Sequence, residues 1–239
     1  MHIRKRKGNI SNLALTLVGI IALCFAMQAA AQDADPEQTT GVIGTPVTTP
    51  ICDPAQSDPP AEADTTYRIV SEESNAQYEV EEEIVSIGAN TAVGKTNAFI
   101  GTFFFDSDGA PLPCSRWDVD LRTLQSDDPR RDNYLYGNTL ETETYPLATF
   151  ILTSVPDMPL PVQEDVETEL TLVGDLTVHG VTRVIAWQAV FTVTPEGMTG
   201  TAETTFQMPD FDITPPVNAA VLSVDENVTL HVDIVATQD

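Results

Sequence analysis

Positive charge is what this 239-residue chain has least of: 11 Lys and Arg stand against 36 Asp and Glu, a formal charge of −25. A surface of that sign repels nucleic acid and anionic headgroups, so no nucleic-acid partner is expected. Histidine is scarcer still, with three in all, and His2 belongs to the first residues. That leaves His179 and His231 for any acid–base chemistry. There is no Gly-x-Ser-x-Gly elbow to pair with either, so a catalytic triad has no sequence support. A turn hydrogen bond suits His179 and a solvated face suits His231. Two histidines and three cysteines make a poor zinc site. Asp106-x-Asp108-Gly109 opens like an EF-hand loop without its later ligands, so it is read as a hairpin turn, and no metal is expected.

Long apolar runs are absent too, save one. Arg4-Lys5-Arg6-Lys7 precedes an apolar stretch over residues 13–27, and Ala29-Ala30-Ala31 follows. This is the pattern of a secretory signal peptide over residues 1–31, so the protein is expected to be periplasmic or secreted, with no integral membrane span after cleavage. Cys24 lies inside the apolar run behind Leu23, where a lipoprotein cut needs a small residue, so lipidation is not expected. Without the four basic residues of the signal the formal charge becomes −29. Cys52 and Cys114 remain, and an exported pair is a candidate disulfide. Such a bond would close a loop worth about 4 kcal/mol in the chain-entropy model.

Residues 32–64 are Pro, Thr, Asp, Glu and Ala with few large apolar side chains, a composition that cannot offset its own ordering entropy. They are expected to form a disordered acidic linker, with the folded domain spanning residues 65–239. From there apolar residues recur every second position, the period of strands with one apolar face. Residues 66–71 and 75–82 alternate weakly. Residues 98–106 place Phe99, Gly101, Phe103 and Phe105 on one face; residues 115–124 place Trp117, Val119 and Leu121; residues 147–155 place Ala148, Phe150 and Leu152. The longest run, residues 169–193, carries Leu170, Leu172, Gly174, Leu176 and Val178, then Ile185, Trp187, Ala189 and Phe191, around His179-Gly180. It reads as an antiparallel hairpin. Residues 198–208 contribute Phe206 and Met208, and residues 227–236 contribute Val228, Leu230, Val232 and Ile234. Asp127-Asp128-Pro129 signals the start of one short helix reaching to residue 140.

Eight or nine antiparallel strands with one helix and no fixed-period repeat suit an all-β closed barrel of about eight strands; a two-sheet sandwich is the alternative. The inner-face aromatics and aliphatics would either fill a core or line a slender cavity. The cavity-lining candidates are the inward residues just given: Phe99, Phe103, Phe105, Trp117, Val119, Leu121, Phe150, Leu152, Leu172, Leu176, Ile185, Trp187, Phe191, Phe206, Met208 and Leu230. Arg131 and Arg183 are candidates for a cavity mouth, since arginine binds polar headgroups well.

Gly174-Asp175-Leu176-Thr177-Val178-His179-Gly180-Val181-Thr182 resembles the GdLTihGvT signature of the YceI-like family. Arg131-Asp132, Tyr145-Pro146 with Phe150, and Phe99-x-Gly101-x-Phe103 fall in that family's order. The resemblance covers residues 65–236 and implies an extended lipocalin-like antiparallel barrel. It further implies an exported, noncatalytic binding protein holding a polyisoprenoid, quinone-like or fatty chain, with no cofactor beyond a bound isoprenoid or other lipid. Tyr78-Glu79-Val80-Glu81-Glu82 departs from the family's F-x-v-x-H, and residues 208–216 replace its R-s-d-F-G-i. The expected partner is thus an apolar lipid-like ligand, with a homodimer left open. The reading from another class is an extracytoplasmic stress-response or adhesion module with a packed barrel.

Overall fold

The computed structural model describes residues 41–46, 58–156, 158–216, 219 and 221–239, with backbone only for 42–46. The signal segment and Cys52 lie outside the described residues.

The period-two runs form strands that pair in antiparallel fashion. They are β1 (Val42–Pro46), β2 (Thr65–Ile69), β3 (Asn75–Ile84), β4 (Gly88–Thr96), β5 (Phe99–Phe105), β6 (Arg116–Asp120), β7 (Leu147–Ser154), β8 (Thr168–Val178), β9 (Val181–Thr194), β10 (Gly197–Gln207), β11 (Val221–Val224) and β12 (Asn227–Gln238). Eight staves close the barrel, because two of them are broken in the middle. β2 and β3 run along one edge of β12, Ile69 facing Ala236 and Ala76 facing Val232. A 3-10 turn at Ser71–Glu73 offsets the two halves. The buried Ser74 hydroxyl bridges the break, accepting from the Val235 N–H at 2.9 Å and donating to its carbonyl at 3.2 Å. β4 and β5 make the matching broken stave, with β4 on β3 and β5 on β2. The ring then runs through β6, β7, β8, β9 and β10 back to β12. Closure removes the open edges of these staves except that of β4, which pairs with β3 alone, and gives the alternating side chains one shared interior.

At one end of the barrel sit the β8–β9 turn, residues 121–146 and the connection from β10 to β12; call this the helical end. The opposite end carries residues 106–115, 155–167 and the β9–β10 turn. In the β8–β9 turn both His179 (φ 52°) and Gly180 (φ 75°) are left-handed. That is the signature of the tight hairpin turn whose twist matches its strands. A Cβ on Gly180 would meet the Tyr145 ring at 2.6 Å, so the close approach also demands glycine.

Several expectations are corrected. The strand expected over 115–124 stops at Asp120, whose carboxylate accepts the Arg122 N–H at 3.0 Å and caps a 3-10 turn at Leu121–Thr123. Leu121 is therefore on a turn. The single helix is two elements: α1 (Pro129–Tyr134), capped by Asp128 accepting from the Arg130 N–H at 2.9 Å, and a wider π-type turn at Leu135–Thr139. Met208 is not on a strand but opens a 3-10 turn, Met208–Phe211. β4 and β11 were not expected at all. The 32–64 span is not a spacer throughout, because Val42–Pro46 is a strand. It occupies the edge of β9 that β10 leaves beyond Glu203, with Val42 facing Ile185 and Pro46 facing Arg183. Gly41 donates to the Thr205 carbonyl and accepts from the Ala186 N–H at 2.7 Å.

Candidate functional site

The barrel axis is filled by an aromatic cluster. Trp117 stacks on Phe150 with centroids 4.4 Å apart, and Trp187 meets both edge-on at 5.4 and 5.9 Å. Phe103 and Phe99 close on Trp117 at 6.0 and 6.3 Å. Such pairs hold together by burial and by the edge-to-face attraction of their ring quadrupoles. Gly174 lies under Phe150, and a Cβ there would meet that ring at 2.6 Å.

On either side of this cluster the interior opens into an apolar chamber, and Trp117 stands in the walls of both. The chamber toward the opposite end is bounded by Phe103, Phe105, Leu152, Leu172 and Phe191 among the expected residues, with Leu170, Ala189, Met198, Ala202 and Ile234 added. The chamber toward the helical end is bounded by Val119, Leu121, Leu176, Trp187 and Leu230, with Ala76, Tyr78, Leu124 and Ala148 added. Phe99, Phe150, Ile185, Phe206 and Met208 are buried without lining either chamber. They are core. Each chamber has a volume of about 60 Å³. That is space for roughly four to six waters, against roughly 300–1,000 Å³ for an ordinary ligand cleft. A long chain fits only if the aromatic rings between the chambers turn aside.

Tyr78 is the residue that sequence reasoning passed over. Its ring lies on Gly94, where a Cβ would come within 2.2 Å, and its hydroxyl is buried with no hydrogen-bond partner. Burial pushes its phenol up to about 12; Arg131 opposes the rise, and Asp132, Glu82 and Tyr136 add to it. Trp187 is 1% exposed and its indole N–H also has no partner. The signal for Tyr78 was its place in the Ala76, Tyr78, Val80 alternation.

The two arginines take different parts. Arg131 is held by Glu82 at 2.7 Å and Asp127 at 2.6 Å. Burial works against its charge, but these carboxylates outweigh it and its pKa is raised. Arg183 donates from Nε to the Asp210 carbonyl at 2.6 Å, fastening the Met208–Phe211 turn across the helical end; neither arginine lines a chamber. His179 serves the same turn: Nδ1 is 3.3 Å from the Phe211 carbonyl and its ring packs edge-on against Tyr145. His231 lies 3.1 Å from Glu203 and 3.8 Å from Glu79. Asp106 Oδ1 accepts from the N–H groups of Asp108 and Ala110, both at 2.9 Å, closing a turn on itself. Among the described residues no cluster of His, Cys, Asp and Glu could hold a metal ion, and no helix is long and apolar enough to cross a membrane. Cys114 is disulfide-bonded.

Comparison with known proteins agrees with this geometry. The chain is 28% identical over 173 residues to a UPF0312 protein of Vibrio vulnificus, covering 69% of this chain and 85% of that one. It is 31% identical over 159 residues to one from Pseudomonas putida, covering 59% and 78%. Among solved structures, BcnA of Burkholderia cenocepacia superposes with a TM-score of 0.56 at 16% identity, covering 71% of this chain and 99% of that one. A polyisoprenoid-binding domain from Saccharophagus degradans gives 0.54 at 12%, covering 72% and 98%. The family model for the YceI-like domain matches residues 67–236, nearly the whole barrel, and the chain therefore belongs to the YceI-like family.

Proposed function

We propose that this protein is an exported, noncatalytic binding protein that sequesters a long apolar chain, of polyisoprenoid, quinone or fatty type, along the barrel axis. The observation that carries the reading is the pair of apolar chambers set end to end about Trp117. Burying roughly ten methylenes there is worth about 8 kcal/mol gross, enough for micromolar-scale binding before ordering costs. The related fold of a polyisoprenoid-binding domain supports it. The engagement of His179 with the Phe211 carbonyl, and of His231 with two glutamates, supports a binder over an enzyme.

A second reading, a packed barrel acting through its acidic surface, draws on the small volume of each chamber. Native mass spectrometry of the protein from its own host, followed by solvent extraction, separates the two. A stoichiometric long-chain lipid is expected. Recovery of apo protein, together with failure to take up any chain lipid in vitro, would overturn the proposal. Export is checked by fractionation, with the chain expected outside the cytoplasm and cleaved near residue 31.

A further inference from the structure

The β3–β4 hairpin overshoots its neighbour at the helical end. The last residue of β3 paired with β12 is Glu79, facing Thr229, and the hairpin runs on to its turn with only the short β11 alongside, Val221 facing Ile84. The turn has ordinary geometry: the Ile87 N–H donates to the Ile84 carbonyl at 3.2 Å, and Gly88 follows in the left-handed region, φ 81°. Its residues are not those a turn calls for. Gly, Asn, Asp and Ser ordinarily fill such positions. Here Val85 and Ile87 flank Ser86 and are 59% and 67% exposed, and Leu222 on β11 is 64% exposed. Of the seven large apolar side chains exposed among the described residues, three therefore sit at this one corner.

Size, charge and position decide what the corner meets. Its three side chains present roughly 300 Å² of apolar surface, well short of the ~800 Å² per partner in a standard protein interface. A bilayer demands no such area and no matching shape, because it takes up apolar side chains singly at the boundary of headgroups and acyl chains. The flank of the corner is acidic. Glu81, Glu83, Asp225 and Glu226 are exposed, and Arg131, which reaches β3, is held by Glu82 and Asp127. A surface of anionic headgroups would be repelled here, whereas a neutral one is accepted. The same hairpin carries Tyr78 in the wall of the helical-end chamber, and its outer strand β4 pairs with β3 alone. Docking through this corner brings that side of the barrel against lipid.

We infer that the corner formed by Val85, Ile87 and Leu222 is a docking surface for a zwitterionic lipid bilayer. The inference rests on the chain-binding reading above, which gives the barrel a reason to visit lipid. Docking is weak and reversible, with the apolar tips as its anchors and the glutamates as its guard against anionic surfaces.

The test is co-sedimentation with phosphatidylcholine vesicles, and with the same vesicles carrying a third of phosphatidylglycerol. It uses the protein recovered from its host after cleavage near residue 31, because residues 13–27 are apolar enough to seek a bilayer by themselves. Binding to phosphatidylcholine is expected to hold within about twofold between about 0.05 and 0.5 M NaCl, and to weaken at low salt when the anionic lipid is added. Ile87→Asp and Leu222→Asp are each expected to cut it at least about tenfold, the worth of one buried aliphatic side chain. Both side chains are exposed, so the melting temperature should stay in place. Ile100→Asp, on β5 and 61% exposed in the wild type, should leave vesicle binding within about twofold. Absence of vesicle binding, binding that requires the anionic lipid, binding that survives both corner substitutions, or a wild-type dimer that either substitution splits would overturn the inference. Solvent extraction reads chain binding separately. Lipid-bearing protein that ignores vesicles overturns the docking surface alone, and protein that docks but neither carries nor takes up a chain overturns the chain-binding reading alone.

Discussion

Tyr78 shows how much one side chain can carry. The alternation of β3 places it inward, and its partner across the ladder is Gly94, whose missing side chain makes room for the ring. Its phenol in the folded chain titrates at about 12, above the value near 10 of an exposed tyrosine. The fold therefore favours the neutral form. Its stabilising effect is complete below about pH 10 and is lost as pH rises toward 12, because the unfolded chain releases its proton first. The loss is on the order of 2 kcal/mol. Urea titrations from pH 9 to 12 should show wild type losing stability faster than Tyr78→Phe by about this amount. Tyr67 and Tyr136 are also raised, so the difference between the two curves is the quantity to read. Parallel curves would show that Tyr78 is not the buried phenol described.

Among elements, the strands legible in the sequence were those whose inward positions are large and apolar, such as Ile185, Trp187 and Phe191 in β9. β4 was not legible, because its buried positions are Ala92, Gly94 and Thr96, small residues that fit under Tyr78 and beside Thr123 and leave no apolar period. β1 was not legible for a different reason: it joins the sheet through its backbone, and Pro/Thr-rich composition says little about a spare edge waiting on β9. The chamber walls divide in the same way. Phe103, Trp117 and Leu176 could be read from alternation, whereas the separation of lining residues from plain core residues such as Phe99 and Ile185 depends on how the rings pack. β1 can be tested directly. A Cβ on Gly41 would lie 1.9 Å from Thr204 Oγ1 and 2.7 Å from the Ala186 carbonyl. Gly41→Val is expected to dislodge the strand, exchange of the Ala186 amide rising at least about tenfold while global stability falls by only about 1 kcal/mol. Unchanged exchange at Ala186 would show that β1 does not hold that edge.

At the scale of the whole molecule the one-sided charge dominates. With 36 acidic against 11 basic residues, self-repulsion opposes the compact state. Several ion pairs that salt would also weaken, such as Arg68–Asp239 and Arg130–Asp128, are exposed and contribute little. Screening should therefore stabilise: the melting temperature is expected to rise by a few degrees between about 0.02 and 0.5 M NaCl, as the Debye length shortens from roughly 20 Å to under 5 Å. A falling melting temperature would mean that attractive pairs outweigh the repulsion. The broken staves have a consequence at this scale as well. Where β4 and the neighbouring end of β3 face residues 121–139 the wall is not laced by a ladder. It is fastened at a few points: the reciprocal Lys95–Gln125 backbone pair at 2.9 Å, the Thr96–Thr123 hydroxyl contact at 2.6 Å and the Arg131–Glu82 ion pair at 2.7 Å. Undoing those latches parts the side of the barrel beside Tyr78 and Leu124 and leaves every run of strand pairing intact. Opening of the wall on this side is thus resisted by two side-chain fastenings and one backbone pair rather than by the strength of the sheet.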